Sequence, residues 1–208
     1  LTGLAEHARP FKTLGDALAL RNHVIRILEE ADTETDEQLR KQLLTFVVAG
    51  GGFSGVEVVG QLHDFVRRAC KSFANISKDD CRMVLLHSRD HILPEVDPSL
   101  ALYAQKLLHK RGVEIILGQR LNAATADHAI LKDGTSIPTK TLISTVPSHP
   151  NPVIDALDLP KDHGKVLVNT SLSVRGLYNI WALGDCALVP LPVKGAAKQQ
   201  YAPPTAQH

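Results

Sequence analysis

Leu44-Thr45-Phe46-Val47-Val48-Ala49-Gly50-Gly51-Gly52-Phe53-Ser54-Gly55-Val56-Glu57-Val58-Val59-Gly60 is the stretch on which the reading of this chain turns. A run of strand-forming apolar residues enters Gly50-x-Gly52-x-x-Gly55, and a helical pattern starts at once behind it. Each glycine has its own task in such a turn. Gly50 permits the tight bend, Gly52 lets a pyrophosphate approach bare backbone, and Gly55 lets the helix pack close to the strand. The unpaired N–H groups of Phe53 and Ser54 at the helix start, with the positive end of its dipole, face the phosphates. Glycine-rich turns also serve ordinary tight packing. The strand before this one and the helix behind it favour a dinucleotide site.

Working outward, Val56, Val59, Leu62, Val66 and Ala69 recur at helical spacing, which predicts a helix to about Phe73. Met83-Val84-Leu85-Leu86-His87 is a second strand and completes a parallel, right-handed β-α-β unit. Pro98 opens a further helix to about Arg111, with Leu100, Tyr103, Leu107 and Leu108 inward and Gly112 as its stop. Val113–Leu117 is a third strand. The turn Lys132-Asp133-Gly134-Thr135 between two short apolar runs then predicts a small antiparallel meander, and Thr141–Val146 one more buried strand. Upstream, Asp16 is expected to cap a helix to about Glu30 whose face is Leu18, Leu20, Val24, Ile25 and Leu28. Downstream, a proline-rich passage leads to strands at Val166–Val168 and Ile180–Leu183, the latter ending in Gly184-Asp185-Cys186. Ala202–His208 has the makings of a helix start. The fold class is therefore α/β, a Rossmann-like three-layer arrangement of parallel sheet, helices and small meander.

Composition narrows the function. The formal net charge of +1 and an aromatic content of 4% argue against a nucleic-acid partner or a base-stacking surface. The 3 cysteines form no C-x-x-C pair, which fits reduced thiols in the cytoplasm. No apolar run approaches the roughly 20 residues that span a bilayer. Leu1, rather than Met, at the start points to a piece of a longer protein.

Several side chains bear on chemistry. A carboxylate at the end of the second strand ordinarily accepts the adenosine ribose hydroxyls of NAD. His87-Ser88-Arg89 stands there instead. Arg89, and His87 if protonated, suit a 2′-phosphate, while Ser88 can donate to either cofactor. Glu57, in the first turns of the helix, either interacts with the dipole or reaches a bound nicotinamide amide. Asp185, taken alone, caps the next helix from a glycine turn. The histidines show no metal spacing, so no metal is expected, and G-x-S-x-G is absent.

The order of motifs resembles a known family. Leu44–Gly60, Ile92-Leu93-Pro94-Glu95-Val96-Asp97-Pro98, Gly112-Val113-Glu114, Ala182-Leu183-Gly184-Asp185-Cys186-Ala187 and Pro203-Pro204-Thr205-Ala206-Gln207 look like type II NADH dehydrogenase. That is a branch of the FAD-dependent pyridine nucleotide-disulfide oxidoreductases. Glu6-His7-Ala8 and Asp16-Ala17 resemble the segment leading into its nicotinamide domain. The resemblance implies that Gly50, Gly52 and Gly55 bind the NAD or NADP pyrophosphate, and that Glu57 lies near nicotinamide and flavin. It implies that Gly184 and Asp185 meet the FAD ribityl–phosphate region, that Val146 and Pro147 line the nicotinamide, and that Ala206 and Gln207 begin the segment at flavin and quinone. His87 stands where the family usually has glutamate, and Pro147 where glycine is usual.

The implied activity is hydride transfer from NAD(P)H to FAD and electron transfer onward to a quinone, with Glu57 and Gln207 as the catalytic candidates. Residues 1–43 are expected as a connector with part of the FAD domain, 44–148 as the NAD(P)H domain, and 149–208 as an incomplete return of the FAD domain. The family's first FAD fingerprint is expected upstream, and a membrane-associating part downstream. The piece alone is expected to be inactive, the parent to be peripheral at the cytoplasmic face of the membrane, and a homodimer is an allowed form. The rival readings are a disulfide reductase of the same superfamily and a non-catalytic nucleotide-sensing module.

Overall fold

Helices and strands alternate through the first part of the chain as the apolar spacing requires. In the computed structural model, which describes residues 2–145, 152–191 and Tyr201, α1 (Leu4–His7) and β1 (Arg9–Pro10) lead into α2 (Leu14–Thr33) and α3 (Glu37–Leu43). Then come β2 (Thr45–Ala49), α4 (Phe53–Ala69), β3 (Arg82–Leu86), α5 (Pro98–Lys110) and β4 (Val113–Ile116). Three short strands, β5 (Leu121–Ala124), β6 (His128–Leu131) and β7 (Ser136–Pro138), precede β8 (Thr141–Ser144). Past the proline-rich passage lie α6 (Pro152–Ala156), β9 (Lys161–Asp162), β10 (Lys165–Leu167) and β11 (Ala187–Leu188). The chain divides into two units, Leu1–Val146 and Pro147–His208.

The main sheet of the first unit has the order β1-β8-β2-β3-β4, with every pairing parallel. β2 is central and wholly buried. Its two faces meet different layers. Phe46 and Val48 pack with Leu20, Val24 and Ile27 of α2, Val59 and Leu62 of α4, and Leu108 of α5. Val47 and Ala49 pack with Leu121, Leu131 and Ile137 of the antiparallel β5-β6-β7 meander. A strand covered on both faces has no reason to alternate polar and apolar residues, and the unbroken run that marked β2 in the sequence follows from this. The first 43 residues lie within this unit, and α2 shares its core with the sheet.

Local structure departs from the sequence reading at four places. Thr13, not Asp16, caps α2. The Thr13 hydroxyl accepts the Asp16 N–H at 3.1 Å, and the Asp16 carboxylate accepts the Thr13 N–H at 2.8 Å, a reciprocal capping box. The buried face of α2 is Leu20, His23, Val24, Ile27, Leu28 and Ala31, leaving Leu18 and Ile25 exposed. On α5 only Ala101 and Leu108 are buried, whereas Leu100, Tyr103 and Leu107 are exposed. This helix contacts the edge strand β4, where the sheet is too narrow to cover a broad apolar stripe. Finally, Ile180–Leu183 is not a strand; it holds only an isolated bridge from Trp181 to Ser173, and Ile180, Trp181 and Leu183 are exposed. Without a neighbouring strand among the described residues, apolar and β-branched content alone does not make a ladder.

The second unit joins β10 antiparallel to β9 and parallel to β11 over a small core of Val166, Val168, Val174, Ala187 and Val189. No helix among the described residues is long and apolar enough to cross a membrane.

Cys70, which caps α4, and Cys81, just before β3, bring their sulfurs to 3.6 Å as free thiols. Burial pushes both thiols up, Cys81 most strongly. Alkylation needs the thiolate, so both should react with iodoacetamide at least about tenfold more slowly in the folded chain than in urea. Equal rates, read by mass spectrometry of the modified peptides, would contradict this packing.

Candidate functional site

The glycine turn is held by its neighbours. Gly50, at φ 120°, donates its N–H to the Leu86 carbonyl at 2.9 Å and accepts no side chain, since a Cβ there would run into the Thr145 hydroxyl. Thr145, directly after β8, lies with its Oγ1 3.1 Å from the Ala49 carbonyl and 3.3 Å from that of Gly50. Gly55 is buried in the first turn of α4, and a Cβ on it would overlap the Gly50 carbonyl oxygen. The helix therefore starts in contact with the turn it leaves. Gly52 differs: nothing lies where its Cβ would project, and as N-cap it offers no side-chain acceptor to the first-turn amides. Those amides and the helix dipole suit an anion, so the turn fits a pyrophosphate. Phe53 packs partly into the core, while Ser54 is exposed.

At the end of β3 the structure shows which form His87 takes. His87 does not face solvent as a cation. Its Nδ1 accepts the Gly51 N–H at 3.0 Å, and its Nε2 is buried without a partner among the described residues. Burial, and then the Arg89 charge, lower its pKa below the ordinary histidine value, so it is neutral at neutral pH. Positive charge for a 2′-phosphate would have to come from Arg89, which is exposed with Ser88 beside it. The Arg89 carbonyl accepts the Gly118 N–H at 2.9 Å, so its backbone is tied to the segment after β4. On the other side, Leu93, at φ 51°, donates its N–H to the Gly51 carbonyl at 2.7 Å.

Glu57 is exposed on α4 and lines a groove of about 580 Å³ with Phe11, Leu14, Ser54, Gln61 and Phe65. The groove runs between the start of α2 and the first turns of α4. An acceptor-only carboxylate on a mostly apolar wall can hold an amide N–H of a ligand in place. Gly50, Gly52, Phe53, Ser54 and Gly55 form the turn and helix start, His87 touches the turn at Gly51, Glu57 opens into the groove beside Ser54, and Ser88 and Arg89 follow His87 as exposed residues. Gly184, at φ 79°, opens a 3-10 turn to Cys186 in the second unit, with Asp185 exposed. Val146, Pro147, Ala206 and Gln207 lie outside the described residues. Sequence reasoning overlooked Thr145 and Leu93 as supports of the turn. For Thr145 a signal existed, a hydroxyl directly after a buried strand; for Leu93 the signal is a positive φ, which no apolar residue announces.

Comparison with known proteins adds three findings. A family model described as pyridine nucleotide-disulphide oxidoreductase matches residues 2–207. A type II NADH:quinone oxidoreductase of Mycobacterium tuberculosis is 33% identical over 198 residues, covering 89% of this chain and 42% of that protein. An internal alternative NAD(P)H-ubiquinone oxidoreductase of Solanum tuberosum mitochondria is 31% identical over 189 residues, 90% of this chain and 38% of its own length. The chain therefore spans about two-fifths of the curated relatives it matches. Among solved structures, NDH2 from Plasmodium falciparum in complex with NADH superposes with a TM-score of 0.78 at 20% identity, over 91% of this chain and 41% of that one, which speaks for the fold.

Proposed function

The chain belongs to the pyridine nucleotide-disulphide oxidoreductase family, and on that premise we propose that its first unit is the NAD(P)H-binding part of a flavin-dependent oxidoreductase that passes electrons to a quinone. The observation that carries this reading is the glycine turn: two glycines closed by contact, and between them one left open beside free helix-start amides. In this reading Gly52 and the amides of Phe53 and Ser54 receive the pyrophosphate. Ser88 and Arg89 meet the adenosine ribose, and Glu57 orients the nicotinamide amide from its groove. Asp185 accepts hydroxyl donors of FAD from its exposed turn, for which an acceptor-only carboxylate is suited. FAD, when bound, supplies the chemistry that takes hydride and releases single electrons. This chain's residues bind and orient. Gln207 and Ala206 belong to the proposed flavin–quinone side, and Val146 and Pro147 to the nicotinamide side, by family resemblance. Residues 44–148 supply most of the nucleotide site, and residues 149–208 part of the FAD domain. The full-length protein is proposed to work at the cytoplasmic face of a membrane, where its acceptor dissolves.

Quinone is favoured over a disulfide as acceptor by the two relatives named above. Cys70 and Cys81 do not argue otherwise. Cys81 directly precedes β3 with the Cys70 sulfur beside it, and the five-residue strand separates the pair from the glycine turn by ~16 Å.

The test is a calorimetric titration with NADH and NADPH side by side. Binding of either supports the site. Tighter NADPH binding that falls about tenfold or more on Arg89→Ala would mark Arg89 as the 2′-phosphate ligand. Binding of neither overturns the reading of this unit.

A further inference from the structure

We infer that His87 is a positioning residue, a neutral latch that holds the glycine turn in its nucleotide-ready shape and opens on acidification. The inference rests on reading the first unit as the NAD(P)H site, and extends it to a group that touches the turn rather than the ligand.

Gly51 is fixed at both of its peptide groups. Its N–H donates to His87 Nδ1 at 3.0 Å, and its carbonyl accepts the Leu93 N–H at 2.7 Å. The His87 side chain crowds the backbone there, with its Cγ only 2.6 Å and its Cβ 2.8 Å from where a Gly51 Cβ would be. The middle residue of the turn is therefore glycine because the ring needs the space. A backbone N–H can only donate, so Nδ1 must be unprotonated and the ring hydrogen must sit on Nε2. Protonation places a second hydrogen on Nδ1, and two donors then face each other. The Gly51 bond is lost, and with it one of the two ties that set the direction of the Gly52 and Phe53 amides.

The surroundings make the neutral form the resting one. Burial, Arg89 and His91 oppose the charge, while Glu95 and Asp90 favour it. All four of those groups come from the loop behind β3. The turn itself and the segment Ile116–Gln119, whose Gln119 N–H donates to the His87 carbonyl at 3.2 Å, contribute no titratable side chain.

The experiment follows the isotopically labelled chain from about pH 8 to about pH 4, a span that reaches well below ordinary histidine titration, as the lowered pKa of His87 requires. It reads His87 ring nitrogen shifts, Gly51 amide exchange, and ADP-ribose affinity by calorimetry. ADP-ribose carries the pyrophosphate and adenosine ribose but no acid-labile dihydronicotinamide. Gly51 protection is expected at high pH and should drop about tenfold or more as His87 titrates, with ADP-ribose affinity falling along the same curve. In His87→Asn the side-chain oxygen takes the position of Nδ1 and accepts the Gly51 N–H at every pH, so both pH steps should vanish whatever the absolute affinity. His87→Leu should lose Gly51 protection even at the high-pH end. Titration of His87 with Gly51 protection unchanged overturns the latch. So does an acid-dependent loss of ADP-ribose affinity in His87→Asn equal to that of the parent. A Gly51 step seen in a chain that binds no ADP-ribose at any pH overturns the nucleotide reading instead, and removes the binding half of the inference with it.

Discussion

Gly55→Ala is expected to abolish nucleotide binding and to lower the stability of the first unit by roughly 3 kcal/mol. The added methyl would overlap the Gly50 carbonyl oxygen, a backbone atom, and lie 2.8 Å from the Thr145 hydroxyl. A flexible side chain could swing aside. A carbonyl fixed between β2, β3 and β8 cannot, so either α4 backs away from the sheet or the turn changes shape. Both outcomes dismantle the alignment of the first-turn amides. Gly52→Ala is the informative contrast. No atom lies within 4 Å of where its methyl would project, and its φ of −78° suits alanine. That variant should keep the parent's urea midpoint while losing NADH affinity, because the methyl occupies the space left for the phosphates. A Gly55→Ala chain with the parent's midpoint would contradict the close seating of α4.

Acidification is expected to cost the fold about 2–3 kcal/mol through His23 alone. This ring is buried between α2 and β8. Its Nδ1 faces the Arg26 guanidinium at 3.3 Å, so Nε2 carries the hydrogen and donates to the buried Thr141 hydroxyl at 2.9 Å. Burial first, then the charges of Arg9 and Arg26, hold its pKa down at about 4, against 6.5 in the unfolded chain. Between those values the unfolded chain binds the proton and the folded chain does not. Stability is therefore whole above pH 6.5 and is lost as pH falls from there through 4. Asp64 beside Arg111 and Asp127 beside Lys140 have lowered pKa values, and their contributions disappear only at still lower pH. Urea unfolding of the parent and of His23→Gln, at intervals across the window, isolates the imidazole. The variant should lose markedly less, and parallel losses would assign the acid sensitivity elsewhere.

How much was legible in the sequence differs from element to element. The β2–turn–α4 unit could be read because its signals are local: a run of β-branched residues, three glycines at fixed intervals, and a helical period behind them. The meander was legible for the same reason, since Asp133-Gly134 demands a turn and short apolar runs flank it. The buried faces of α2 and α5 were not. Both helices carry leucines on more than one side, and the choice among them is made by whichever strand lies beneath. On α2 that choice put His23 into the core and left Leu18 outside. On α5, at the edge of the sheet, it left three of four expected contacts in water.

Within the site, glycine positions follow from backbone geometry that any chain must obey, and so the sequence by itself determined the turn, the strand before it and the helix after it. His87 is the opposite case. Its place at the end of β3 was evident, but whether it faced a phosphate as a cation or the loop as a neutral acceptor depends on burial and on the Gly51 N–H. Thr145 likewise gains its part only because the parallel pairing of β8 with β2 carries it beside Gly50. Chain-local sterics and periodicity decided which elements exist. Desolvation, and hydrogen bonds between residues far apart in the chain, come into being only when the sheet assembles, and these decided the faces, the protonation states and the supports of the turn.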